Sequence, residues 1–152
     1  MGIRALLKRA VIVMAAGLVL AQVIRPDRTN PPIDPAKTLV ATTHPPANVQ
    51  AILDRGCRDC HTNQTVWPWY TNVAPISWFV AGHVTEGRHN LSFSNWADNP
   101  PALKVKRLAQ MCDLVQRGEM PLTTYLLLHR DAALSDEDRQ AVCDWTDAQS
   151  GQ

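Results

Sequence analysis

Cys57-Arg58-Asp59-Cys60-His61 places two thiols and an imidazole within five consecutive residues. Thiols three positions apart span about one helical turn, so both can add to the two vinyl groups of one porphyrin. The adjacent imidazole is then held beneath the metal as its proximal ligand. This spacing supports covalent attachment of one c-type haem through Cys57 and Cys60, with His61 on the iron. Two other chemistries use a Cys-x-x-Cys pair. A redox dithiol comes after a strand of a βαβ unit, and no such pattern precedes Cys57. A structural zinc needs two more ligands, and the remaining cysteines, Cys112 and Cys143, stand alone.

Met120-Pro121 is the second chemical feature. Gly118 ends the helical pattern before it, and Pro121 favours extended geometry in the residue ahead of it. The thioether is then presented from a stiff loop, where it can take the sixth iron position. His/Met ligation raises the reduction potential. The alternative for a methionine is core filling. His83 and His129 are the competing sixth ligands. Trp67, Trp69, Tyr70, Trp78, Phe79, Phe93 and Trp96 supply flat apolar surface near the motif in sequence. Trp69 is a candidate for the haem pocket, and Arg88 for a haem propionate; a generic packing role is the alternative for each.

The elements that must position these groups read as helices. Val49, Ile52 and Leu53 give a one-sided helix over 47–56 that runs into the motif. A second helix is expected over 76–85. A third opens with Asn99 as cap and Pro100 at its first position, carries Leu108, Met111, Cys112 and Val115 on one stripe, and stops at Gly118. Ser135 and Asp138 form a capping box for the last helix, which buries Val142 and Trp145. No period-2 strand is evident, so the fold class is all-α with substantial loops.

Ahead of this domain, Arg4, Lys8 and Arg9 precede an apolar run from Ala10 to Ile24 broken by Gln22. Segment 1–24 reads as a signal-anchor or a signal peptide, with Val19-Leu20-Ala21 as a cleavage site. Either form exports the domain, and an uncleaved segment holds it at the inner membrane, facing the periplasm. Residues 25–46 are crowded with prolines and read as a semi-rigid linker, or else as an ordered arm wrapped on the domain. The haem-binding domain proper is expected over 47–149. A net charge of +1 over 152 residues gives no nucleic-acid footprint. Cys112 and Cys143 are either a disulfide or two buried thiols.

From Cys57 to Trp145 the chain resembles the small bacterial haem-binding domain proteins of the cytochrome c type. The matching pieces are the Cys57–His61 motif, Trp67-Pro68-Trp69-Tyr70, Ala74-Pro75-Ile76-Ser77-Trp78 and His83-Val84-Thr85-Glu86-Gly87-Arg88. Phe93-Ser94-Asn95-Trp96, Gly118-Glu119-Met120-Pro121, Tyr125 and His129 continue the match. Arg25-Pro26-Asp27-Arg28-Thr29-Asn30-Pro31-Pro32 is similar to the family's juxtamembrane segment. The resemblance implies a mono-haem domain with Met120 as distal ligand, and no reaction of its own. Cys112 and Cys143 lie outside the pattern. The expected function is single-electron transfer between redox partner proteins, without catalysis. A haem-based ligand or redox sensor is the alternative, and a peroxidase-like haem a more distant one.

Overall fold

The apolar spacing of the chain produces helices wherever it recurs at three and four residues. In the computed structural model, which describes residues 2–150, these are α1 (Ile3–Ala21), α2 (Leu39–Thr43), α3 (Ala47–Gly56), α4 (Arg58–His61), α5 (Ile76–Asn90), α6 (Pro101–Gln116), α7 (Thr123–Leu126) and α8 (Asp136–Ser150). Short 3-10 turns at Pro35–Lys37, Trp69–Asn72, Trp96–Asp98 and Arg130–Ala132 link them. No strand occurs among the described residues, and the fold is all-α.

α6 and α8 pack against each other, and α3 lies on α8. Leu108, Met111 and Val115 of α6 meet Val142 and Trp145 of α8 in one buried cluster with Val49, Ile52 and Leu53 of α3. Cys112 and Cys143 form a disulfide across the α6–α8 pair, with their Cα atoms 4.8 Å apart. Its loop of 31 residues stabilises the fold by about 3–4 kcal/mol in the chain-entropy description. The capping box at α8 is reciprocal. The Asp138 N–H donates to Ser135 Oγ at 3.1 Å, and the Ser135 N–H donates to Asp138 Oδ2 at 2.9 Å. Arg55 of α3 pairs with the same carboxylate, tying the helix that precedes the motif to α8.

The proline-rich stretch 25–46 is an ordered arm and does not project as a stalk. Leu39 is fully buried in the core, and its N–H donates to the Phe93 carbonyl at 2.7 Å. Thr38 caps α2 by accepting from the Ala41 N–H. Arg28 donates to the Thr71 carbonyl and to Asn72 Oδ1. α5 runs to Asn90, five residues beyond its expected end, because Gly87 serves a contact there and does not stop the helix. α6 begins one residue late. Asn99 does not cap it; the Asn99 Oδ1 accepts from Arg107 instead.

α1 includes the basic residues Arg4, Lys8 and Arg9 and buries none of its residues. No helix among the described residues is long and apolar enough to cross a membrane. The C-terminal end of α1 is fastened to the domain by Gln22. Its Oε1 accepts from the Ala74 N–H at 2.9 Å, and its Nε2 donates to the Ala74 carbonyl at 3.2 Å.

Candidate haem site

Cys57 ends α3 and begins the single turn of α4. The Cys60 and His61 N–H groups both point to the Cys57 carbonyl, at 3.3 and 3.0 Å. Both thiols are half-buried and unpaired, while Cys112 and Cys143 are bonded to each other. Cys57 and Cys60 are therefore left out of the disulfide, and a four-thiolate zinc site is excluded. Burial pushes the Cys57 thiol up to about 12 and the Cys60 thiol up to about 11. At neutral pH they are protonated thiols and not a thiolate pair.

His61 is aimed by α5. Its Nδ1–H faces the carbonyls of Gly87 at 3.1 Å and Leu91 at 2.9 Å. That fixes the tautomer and leaves the Nε2 lone pair for a metal. Burial is the main influence on the ring and lowers its pKa, so it is the neutral ligand form that is favoured. Phe93 stacks against the ring at 5.5 Å, and the Phe93 N–H donates to the His61 carbonyl. This arrangement needs α5 to approach α4 closely. A Cβ at Gly87 would stand 2.7 Å from the Cys60 carbonyl oxygen, so only glycine fits.

The next residue, Arg88, fastens the surroundings. Its guanidinium donates to the carbonyls of Thr62 and Thr29, to Asn30 Oδ1 and to Thr65 Oγ1. Arm, motif loop and α5 are joined at this one side chain. Trp69 lies at the surface, 77% exposed, with its ring edge-on to Tyr70.

Met120 is half-buried and packs against the core cluster that Cys57 also touches. Its loop is held firmly. Gly118 adopts a φ of 68°, and the N–H groups of Glu119 and Met120 both donate to the Leu114 carbonyl. Pro121 lies against the end of α3, where a Cβ at Gly56 would meet Pro121 Cγ at 3.3 Å. The Met120 loop is thus brought beside the residue that precedes the motif. His129 is engaged elsewhere. Its Nδ1–H donates to the Tyr125 carbonyl at 3.2 Å, its Nε2 faces the Tyr70 hydroxyl at 3.4 Å, and its ring stacks on Tyr125 at 4.0 Å. His83 Nδ1–H donates to the Phe79 carbonyl within α5.

Asp59, between the two motif cysteines, is a part of the site that the spacing did not announce. Its carboxylate accepts from the Tyr125 hydroxyl at 2.9 Å and from the Val66 N–H at 3.2 Å. Burial first, then the adjacent Asp59 carboxylate, pushes the Tyr125 hydroxyl pKa upward. α7 is in this way bonded directly to the motif turn.

Among the described residues four buried donors lack a partner: Arg58 Nε and Trp67 Nε1, in and just after the motif in sequence, and Arg139 Nε and Trp145 Nε1 of α8. Unpaired buried donors are costly, and an anionic group such as a haem propionate would supply what Arg58 and Trp67 lack. Free thiols on one turn, a neutral imidazole with its Nε2 available, and orphan donors beside them form a donor set that fits haem. A surface cleft of about 520 Å³ between Pro26, Asp27 and α5 involves none of the motif residues.

A family model described as a haem-binding domain matches residues 16–148. The chain belongs to the haem-binding domain family. The match starts within α1 and ends in α8, so the family's domain takes in the proline-rich arm as well as the helical core. No curated protein and no solved structure matches the chain. Within the haem-binding domain family, the cofactor of this protein is haem.

Proposed function

We propose that this haem-binding protein is a mono-haem c-type cytochrome that carries single electrons between partner proteins outside the cytoplasm. The observation that carries this reading is the division among the four cysteines. Cys112 and Cys143 are spent on each other, while Cys57 and Cys60 remain free on the turn that ends in an oriented His61. In this reading the two thiols would hold the porphyrin covalently, and His61 Nε2 would ligate the iron. Met120 would supply a second iron ligand, from a loop that Gly118 and Pro121 keep stiff. The bound iron supplies one-electron storage, and a thioether ligand favours its reduced form. The chain's own part is to orient the imidazole through Gly87 and Leu91, and to meet propionate charge with Arg58 and Trp67. His129, one alternative to Met120, is engaged by Tyr70 and Tyr125, which favours the Met120 reading and with it a carrier.

The disulfide suits an oxidising compartment. We assign the protein to the periplasmic side of the inner membrane, held there by the apolar part of α1. Co-expression with a haem ligation system tests the function. Haem that stays on the chain in a denaturing gel, with a six-coordinate low-spin spectrum, is the expected result. Stoichiometric zinc with no covalent haem overturns it.

A further inference from the structure

The apolar part of α1 is short for the task just assigned to it. Its residues 10–21 extend about 18 Å at 1.5 Å per residue, against a hydrocarbon core of about 30 Å. A short segment is accommodated by bilayer thinning, by snorkelling of flanking residues or by oligomerising, and thinning brings the headgroup boundary toward the chain that adjoins the segment. In this protein the adjoining chain is rigid. Gln22 is bonded to both backbone groups of Ala74, Trp78 Nε1–H donates to the Ile24 carbonyl at 2.7 Å, and Arg28 grips Thr71 and Asn72. The segment around residues 71–78 is therefore held at the exit of α1.

Apart from Asn72, that segment is apolar where it meets solvent. Val73, Ile76, Trp78 and Phe79 are all among the exposed large hydrophobic residues, and Val23 and Ile24 continue the same surface from α1. Ile76 and Phe79 lie on one side of α5 at a spacing of three. The exposed Arg25 stands beside this surface, where a cation meets lipid phosphate. Large apolar patches of this kind mark interaction sites, and tryptophan with aromatic neighbours is enriched at lipid interfaces.

We infer that the surface formed by Val23, Ile24, Val73, Ile76, Trp78 and Phe79 seats the haem domain on the headgroup–acyl boundary of the bilayer. The inference rests on α1 as the membrane attachment. It adds that the domain does not swing on a tether but is docked in one orientation. Along α5, Ile76 and Gly87 are about 16 Å apart at the helical rise, so the motif beneath Gly87 lies within about that distance of the docked surface. Electron exchange then occurs close to the membrane plane.

Two valines make the measurement. Val73 is 42% exposed and Val105, on α6, is 44% exposed. With the same side chain and nearly equal exposure, they oxidise equally under hydroxyl-radical footprinting unless one is covered. The haem-loaded full chain is placed singly in phosphatidylcholine–phosphatidylglycerol nanodiscs, which excludes a second copy as the cover. Docking predicts Val73 oxidation at least threefold below Val105. It also predicts that the ratio returns toward one in an Ile76→Glu, Phe79→Glu double variant whose haem spectrum is unchanged. A chain that does not enter nanodiscs or float with vesicles overturns the attachment by α1. A chain that enters them with Val73 and Val105 equally oxidised overturns the docking alone. Protection of Val73 that the double variant leaves in place, or a haem spectrum that the variant alters, assigns the cover to haem and overturns the lipid assignment.

Discussion

Gly87 and Cys60 meet backbone to backbone: the place a Cβ would take on Gly87 is 2.7 Å from the Cys60 carbonyl oxygen. The same glycine presents its own carbonyl to His61 Nδ1. One close approach thus sets both the position of the motif turn and the tautomer of its imidazole. Gly87→Ala forces the two helices apart, at a cost of about 1–3 kcal/mol by overpacking. It is expected to lower both the urea midpoint and the yield of haem-loaded protein. Gly82, in the same helix, faces open space, so Gly82→Ala is expected to stabilise by about 0.5–1 kcal/mol through helix propensity. Equal effects from the two substitutions would show that the contact with Cys60 does not matter.

Met120→Ala is expected to keep haem bound while opening the sixth iron position. Carbon monoxide and cyanide then bind faster, and the reduction potential falls. Met120→His keeps six-coordination at a lower potential, because imidazole favours ferric iron more than a thioether does. Absorption spectra and redox titration check both. A spectrum that Met120→Ala leaves unchanged would move the ligand role to His83 or His129.

The local pattern carried the motif and its loop well. The turn that groups Cys57, Cys60 and His61 follows from their closeness in the chain, and the Met120 loop from Gly118 and Pro121, which shape the backbone on either side. The capping box of Ser135 and Asp138 was legible for the same local reason. The features that escaped depend on partners distant in sequence. Leu39 is a single apolar residue among prolines, so no periodicity announced that it fills the core. Gly87 carries no signal of its own in the sequence until Cys60 is seen against it. Asp59 is an anonymous spacer until Tyr125 arrives from α7 with its hydroxyl. Helical patterns put Cys112 and Cys143 on two expected helices and left a disulfide and two buried thiols equally open; only the folded chain brings their Cα atoms to 4.8 Å.

The disulfide is expected to matter for stability and not for haem chemistry. Cys112→Ser with Cys143→Ser removes a 31-residue cross-link and is expected to cost about 3–4 kcal/mol in urea unfolding. The visible spectrum should be unchanged. Thiol titration of unfolded, haem-loaded wild-type protein should find no free thiol. Two free thiols would rule out the bridge.

Asp138 gives the fold an acid-sensitive clamp between α3 and α8. Burial acts to raise its pKa, but the Ser135 N–H and the Arg55 guanidinium outweigh burial and hold the carboxyl below its usual range. A depressed folded value means that the unfolded chain binds the proton more readily. The stabilisation is therefore present above the ordinary carboxylate pKa of about 4 and is lost as pH falls through the lower folded value. Asp138→Asn is expected to cost about 1–2 kcal/mol at pH 7, combining a weakened cap with a lost charge-assisted bond. That cost should shrink as the pH falls below about 4, where the unfolded chain takes up the proton, and the charge-dependent part is lost below the lower folded value, where the native carboxylate is itself protonated. Urea midpoints of the two proteins from pH 7 to pH 3 make the comparison, and a gap that stays constant with pH would show that the carboxylate charge contributes nothing to the clamp.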